Sequence, residues 1–212
     1  MSPLPPHHLV QMRASERLLP ATHSVIAVTD LASYLQDTGN KVSRKSQIIG
    51  TQNIILGGKS VIQAEVIIRG DLVRTLDAPA GTEKKAPVVA VAIGRYCFLS
   101  RGCVLKPPGR VMKGVFSYHP LKLSDHVFIG ANSIVEAAIV GNKVHIGKDC
   151  VIGKFALIKD CVRILDGTVV PPGMVIPSFS VVAGRPGRVV GEVPEGGEEA
   201  LEGREIYRTI VN

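Results

Sequence analysis

From Val140 to Val170 an aliphatic side chain returns every six residues, at Val140, Ile146, Ile152, Ile158, Ile164 and Val170, and Gly141, Gly147 and Gly153 follow the first three. Four positions after each of the first five comes a small or β-branched residue: Val144, Cys150, Ala156, Val162 and Thr168. Six is a whole number of two-residue strand periods, so the aliphatics share one face of a pleated strand, whereas 3.6 residues per helical turn would scatter them. The repeat is a strand repeat. A short strand with one apolar face cannot bury it alone, but strands that bend and wind back over themselves bury it along a common axis. Glycine suits the bend, where a Cβ would be crowded or φ unfavourable, and the small residue suits a corner where walls meet. Six residues per wall and three walls per coil make a triangular prism.

The same spacing runs along most of the chain. It begins with Ile49, Ile55, Val61, Ile67 and Val73, breaks across Leu76 to Pro87 as a loop pushed out of the wall, and restarts at Ile93, Leu99 and Leu105. It breaks again from Lys106 to His119, where Pro107-Pro108-Gly109 marks the exit, and resumes at Leu123, Ile129 and Val135. The next step, to Val140, is five residues; within a strand that slip would turn every side chain over, so a corner must absorb it. Ile176 and Val182 complete the series. About six coils at ~4.8 Å each give a prism roughly 29 Å long. The expected organisation is an N-terminal extension over 1–33, a prism over 34–190 and an acidic tail over 191–212. Residues 1–33 lack a lasting period and carry Pro3, Pro5, Pro6 and Pro20, so they read as disordered apart from a short helix near Leu9 to Leu19. Tyr34 to Ser46 is a polar lead-in that covers the first end. In the tail Leu201, Ile206 and Ile210 share a helical face, which predicts a short C-terminal α-helix docked on the prism.

Composition narrows the class. Hydrophobic residues make up 45% but aromatics only 4%, with no Trp, which fits an all-β core of stacked Val, Ile and Leu. No run approaches the roughly eighteen apolar residues of a membrane span, so no direct membrane insertion is expected. Glu16 and the early prolines spoil a secretory or transit-peptide reading of the N-terminus. Cys97, Cys103 and Cys150 fall on the small inward position and Cys161 one place off it; without C-x-x-C spacing they read as buried, reduced thiols of a cytosolic protein. The net charge of +7 is polarised. Six Glu against Arg204 and Arg208 make the tail from Gly191 net −4, so the rest stands at +11. Between Glu83 and Asp125 lie eight basic residues and no acid. Single-stranded nucleic acid would want stacking platforms along such a run, and only Tyr96, Phe98, Phe116 and Tyr118 are at hand, so an acidic protein partner is preferred.

Two enzyme chemistries compete with a scaffold. The closing phrase Val170-Pro171-Pro172-Gly173-Met174-Val175-Ile176-Pro177, followed by Ala183-Gly184-Arg185-Pro186, resembles the hexapeptide-repeat, left-handed parallel β-helix proteins, and its handedness is implied by that resemblance. γ-Class carbonic anhydrases share the fold, and Ile68-Arg69-Gly70-Asp71 resembles the phrase whose arginine and aspartate organise their subunit interface; Arg69 and Asp71 are thus structural candidates here, beside Gly141, Gly147 and Gly153. Their metal needs three imidazoles with an open position for water. The usable histidines are His119, His126 and His145, and the stretch after Ile93 where a first ligand belongs reads GRYCFLSRGC. His126 and His145 therefore read as outward residues on a solvated face. Hexapeptide acyltransferases need a histidine base beside a slot for coenzyme A, and His119 is the sole candidate. No catalytic residue, metal or cofactor is expected.

Longer phrases single out a third class. GNKVSRKS (39–46), TQNIILGGKSVI (51–62), IIRGDL (67–72), YHPLKLSDHVFIG (118–130) and residues 144–172 resemble the dynactin subunit 5 family, the smaller of two left-handed β-helix subunits at the pointed end of dynactin. The resemblance implies a non-catalytic scaffold of the cytoplasm and cytoskeleton. Implied partners are a second β-helix subunit, an actin-related protein and other pointed-end subunits, and dynein cargo adaptors, in service of microtubule transport of early endosomes. The 1–33 extension and the 76–87 insert depart from the family. Arg95, Arg101, Lys106, Arg110 and Lys113 form the expected partner-facing basic edge.

Overall fold

Strands of two to four residues climb three walls in turn, each hydrogen-bonded in parallel to the strand one coil below and one coil above. The computed structural model describes residues 39–74, 88–112, 114–194, 196–197 and 207–208. The first wall rises through seven parallel strands from Lys41–Val42 to Ser180–Ala183 and closes with an antiparallel strand, Arg188–Glu192. The second wall runs through six strands from Gln47–Ile49 to Val169–Val170, and the third through six from Ile54–Leu56 to Val175–Ile176.

Inside, the aliphatic anchors stack in register. Val42, Ile62, Leu99, Ile129, Ile146, Ile164 and Val182 make the column of the first wall. Every anchor from Leu99 to Val182 is at most 2% exposed. The corners hold the small residues, and the polar ones among them are satisfied. Ser133 Oγ donates to Gly147 O and accepts from Cys150 N–H; Ser60 does the same between Gly94 O and Cys97 N–H. A buried hydroxyl without such partners would cost about 1–3 kcal/mol.

Two local devices turn each corner. A Cβ on Gly153 would lie 2.5 Å from Pro172 N and 2.7 Å from Val170 O on the next coil, so close approach of backbone requires the repeat glycines. The left-handed conformation falls three residues after the inward anchor and is borne mostly by other residues, among them Tyr96, His126, Asn132, Asp149 and Phe155. Each such residue costs about 1–2 kcal/mol, which the burial of the following strand must offset.

The five-residue step lies between the strands Ile134–Val135 and Ile139–Val140, where Ala137 is fully buried; the corner absorbs it. The first coils differ from the expected frame. The inward residues are Ile48, Leu56, Ile62 and Ile68, each one place after Ile55, Val61 and Ile67 or one before Ile49. Ile55 is 55% exposed. The dipeptides there are apolar on both faces, and the 3-10 turn Thr51–Asn53 takes up two extra residues between Ile48 and Leu56. The lead-in is also more than a cover, since Lys41–Val42 pairs with Val61–Ile62 as the first rung. The break after Lys106 is an antiparallel hairpin, Gly109–Met112 with Val115–Tyr118. Arg188–Glu192 carries the last strand past residue 190. The expectations for 1–33 and for the 76–87 loop lie outside the described residues, as does the C-terminal helix except for helical Tyr207 and Arg208.

Candidate interaction surfaces

The expected basic edge is distributed by the prism. Arg95 sits on the corner from third to first wall, Arg101 on the corner from first to second, and Lys106 on the corner from second to third. Each meets a carboxylate: Arg95 faces Asp125 at 3.8 Å, Arg101 faces Glu65 at 2.6 Å, and Lys106 faces Glu136 at 3.0 Å. The Arg101 guanidinium lowers the Glu65 pKa through a hydrogen bond and its charge. Arg110 lies on the hairpin, its guanidinium 5.0 Å from the centre of the Phe155 ring. Lys113 lies outside the described residues. The structure therefore does not bring Arg95, Arg101 and Lys106 together.

Arg69 and Asp71 do meet. Arg69 Nε and Nη2 donate to the two carboxylate oxygens of Asp71 at 2.7 and 2.8 Å, and this bond raises the arginine's pKa. The pair pins the corner from second to third wall, one coil below the exit of the hairpin. The hairpin likewise stands between a strand of the second wall, Val104–Leu105, and one of the third, Leu121–Leu123.

The three histidines occupy three settings. His119 ends the hairpin with its ring edge-on to Phe155 at 5.3 Å, and burial, with Arg110 and Arg74 nearby, lowers its pKa. His126 stacks on Tyr96 at the corner from third to first wall, ring centres 5.1 Å apart. His145 points outward from the first wall but is half-buried, as the end of a stack of Phe98, Phe128 and His145 with spacings of 5.2 and 4.6 Å. Burial first and the Arg163 charge second lower its pKa. His126 and His145 are thus members of aromatic columns, and the solvated-face expectation gives way. The sequence hid these columns because the stacked partners are a full coil apart, as Tyr96 is from His126 and Phe128 from His145. Among the described residues no group of three His, Cys, Asp or Glu side chains converges as a metal site would require. A shallow cavity of about 340 Å³ lined by Gly94, Lys122, Asp125 and Asn142 sits at the corner from third to first wall, and His119 precedes the opposite edge of the third wall.

Outside the core, the walls differ. The first wall presents Phe98 outward yet only 8% exposed, and Tyr207 of the tail is held beside it: its hydroxyl donates to Gly39 O at 2.6 Å, and its ring lies edge-on to Tyr96. The third wall is apolar save for Lys122, and the second wall is aliphatic from the second to the sixth coil. The hairpin adds Val111, Met112, Val115 and Phe116, each 44–64% exposed.

Likeness to solved structures gives the fold its hand. A hexapeptide transferase family protein from Anaplasma phagocytophilum superposes with a TM-score of 0.56 at 18% identity, over 81% of this chain and 90% of that one. A perosamine N-acetyltransferase variant from Caulobacter crescentus, in complex with CoA and GDP-perosamine, gives 0.53 at 15% identity, over 77% of this chain and 64% of that one. At such identities the likeness shows a left-handed parallel β-helix and nothing about chemistry. Among curated proteins, dynactin subunit 5 of Dictyostelium discoideum is 37% identical over 104 residues, which span 49% of this chain and 44% of the relative. The family model for dynactin subunit 5 matches residues 28–207, the prism, the hairpin and the tail as far as Tyr207. On that match the chain belongs to the dynactin subunit 5 family.

Proposed function

We propose that the chain is a non-catalytic scaffold subunit of the dynactin pointed-end complex, supporting dynein-driven transport along microtubules and the attachment of cargo, early endosomes in particular. The observation that carries this reading is the family match over residues 28–207. The physical form supports it. A prism of stacked rungs holds surfaces in fixed register, and here each wall offers a different one: aromatic with Tyr207 set against it, uninterrupted aliphatic, and aliphatic around Lys122. The partners are a second β-helix subunit, an actin-related protein, other pointed-end subunits and cargo adaptors, and the setting is the cytoplasmic cytoskeleton. Of the five basic positions, Arg110 has no ion pair to a described carboxylate, so the partner-facing charge is assigned to the hairpin, where Lys113 follows three residues on in sequence.

The test replaces the endogenous copy with the Arg110→Glu/Lys113→Glu variant and follows both dynactin composition and endosome runs. The expected result is dynactin assembled with the variant but with endosome runs reduced severalfold. Unchanged runs would remove the hairpin's charge from the account. Normal dynactin and normal runs in cells lacking the chain would overturn the scaffold reading.

A further inference from the structure

The outward side chains of the second wall form one column: Ile67, Val104, Ile134, Val151 and Val169 stand in register on successive coils. No charge interrupts it, and Ile134 and Val151 are 39% and 40% exposed. The two corners that border it are lined by ion pairs, Arg101 with Glu65 on one side and Lys106 with Glu136 on the other. An apolar centre inside a polar rim is the anatomy of a protein interface. A contiguous β-branched strip on a flat sheet is also what a chain that stays alone avoids. The other walls are less suited: the first carries Lys41, His145 and Arg163 in its column and has Phe98 covered, and Lys122 breaks the third.

The shape of the strip selects its occupant. Five rungs at ~4.8 Å make a flat face about 19 Å tall. An amphipathic helix seats in a groove; a flat pleated face is matched by another pleated face with the same rung spacing, the two sheets packing about 10 Å apart. Charge then selects against a second copy. The whole chain, tail included, stands at +7, so two copies side by side repel, whereas a prism of acidic balance is attracted. We propose that the second wall receives a flat wall of a different, acidic β-helix chain, with Ile134 and Val151 at the centre of the contact. This rests on the scaffold reading and names the face that reading leaves open.

The experiment places a photo-crosslinking residue at Ile134 or Val151 on the second wall, and at Ile139 or Val175 on the third, in tagged chain purified with dynactin from cells. Cross-linked peptides are then sequenced. The expected result is that second-wall positions link to a chain with a six-residue aliphatic repeat and third-wall positions do not. Links to that chain from the third wall alone, links from the second wall to this chain's own tail or to a second copy, or no second-wall link would each overturn the assignment. If the tagged chain purifies with dynactin but fails in one of these ways, the wall assignment falls and the scaffold reading stands; if it does not purify with dynactin, both fall. As a second measurement, Ile134→Lys/Val151→Lys is expected to reduce recovery of the partner prism at least tenfold, and Ile134→Ala/Val151→Ala by less. Both substitutions face outward, and the alanine pair decides the matter if the lysine pair does not fold. Full recovery with the alanine pair and with any folded lysine pair would overturn the proposal.

Discussion

Adjacent residues of one strand should respond very differently to truncation, and Ile152 and Val151 offer the cleanest pair. Ile152 is fully buried between Val135 and Val170 in the column of the second wall, while Val151 points out at 40% exposure. Ile152→Ala removes three carbons, about 2.4 kcal/mol of transfer free energy at ~0.8 per methylene. The stacked rungs above and below are tied by backbone hydrogen bonds and cannot close the gap; at ~24 cal/mol per Å³, a residual void of about 80 Å³ adds about 2 kcal/mol. The expected loss is therefore about 2.5–4.5 kcal/mol. Val151→Ala removes two carbons that are only partly out of water, about 1 kcal/mol with the loss of β-branching included. Urea unfolding of the purified chain checks this through the midpoint at unchanged slope. Equal losses, or a larger one at Val151, would refute the inward assignment and with it the prism's phase.

Three further outcomes follow from the same geometry. Gly153→Ala should cost about 2–3 kcal/mol or abolish soluble expression, because the new methyl meets Pro172 and Val170 backbone rather than a yielding side chain; a thermal melt within a degree of the parent would contradict this. Burial depresses the folded pKa of His145 below its ordinary value, so near pH 6 the unfolded chain binds more protons than the folded one, and its contribution to stability, full above about pH 6.5, is lost as pH falls through that value toward the lower folded one. His145→Phe should flatten that part of the pH–stability curve and extend the stack on Phe128; an unaltered curve would show that His145 contributes nothing to it. Burial pushes the Cys97 and Cys103 thiols up to about 12, so at pH 8 iodoacetamide should leave both unlabelled in the native chain and label them after denaturation, as peptide mass mapping would show; rapid native labelling would mean that the corners open.

What the sequence revealed depended on where glycine marked the phase. After Ile129, Val140, Ile146 and Ile152 a glycine follows the inward anchor, and each of those residues proved buried. In the first coils Ile49-Gly50 imitates the same signal, although Gly50 opens the 3-10 turn at φ 69°. The truer markers were Gly57 after Leu56 and the left-handed Lys59 and Glu65, three places beyond Leu56 and Ile62. The hairpin went unread beyond its exit at Pro107-Pro108-Gly109, although a lysine and Gly114 separate two apolar pairs in the manner of a two-residue turn. The spread of the basic residues was present in the spacing itself: Arg95 and Arg101 are six residues apart, which is one full wall, so they stand on different corners. Their carboxylate partners sit on neighbouring coils, 30 and 36 residues away in sequence, and no local pattern announces them. The aromatic stacks and the interface-like second wall were equally hidden, since both are built by residues that meet only after the chain has wound once around.

The most direct test of the central claim is the native mass of the assembly that holds the chain at its ordinary cellular level, with subunits identified by dissociation in the same instrument. The account predicts a dynactin-sized particle in which the chain accompanies a second β-helix subunit and an actin-related protein. A homotrimer of this chain carrying a metal ion or an acyl-coenzyme A would contradict it and return attention to His119, His126 and His145.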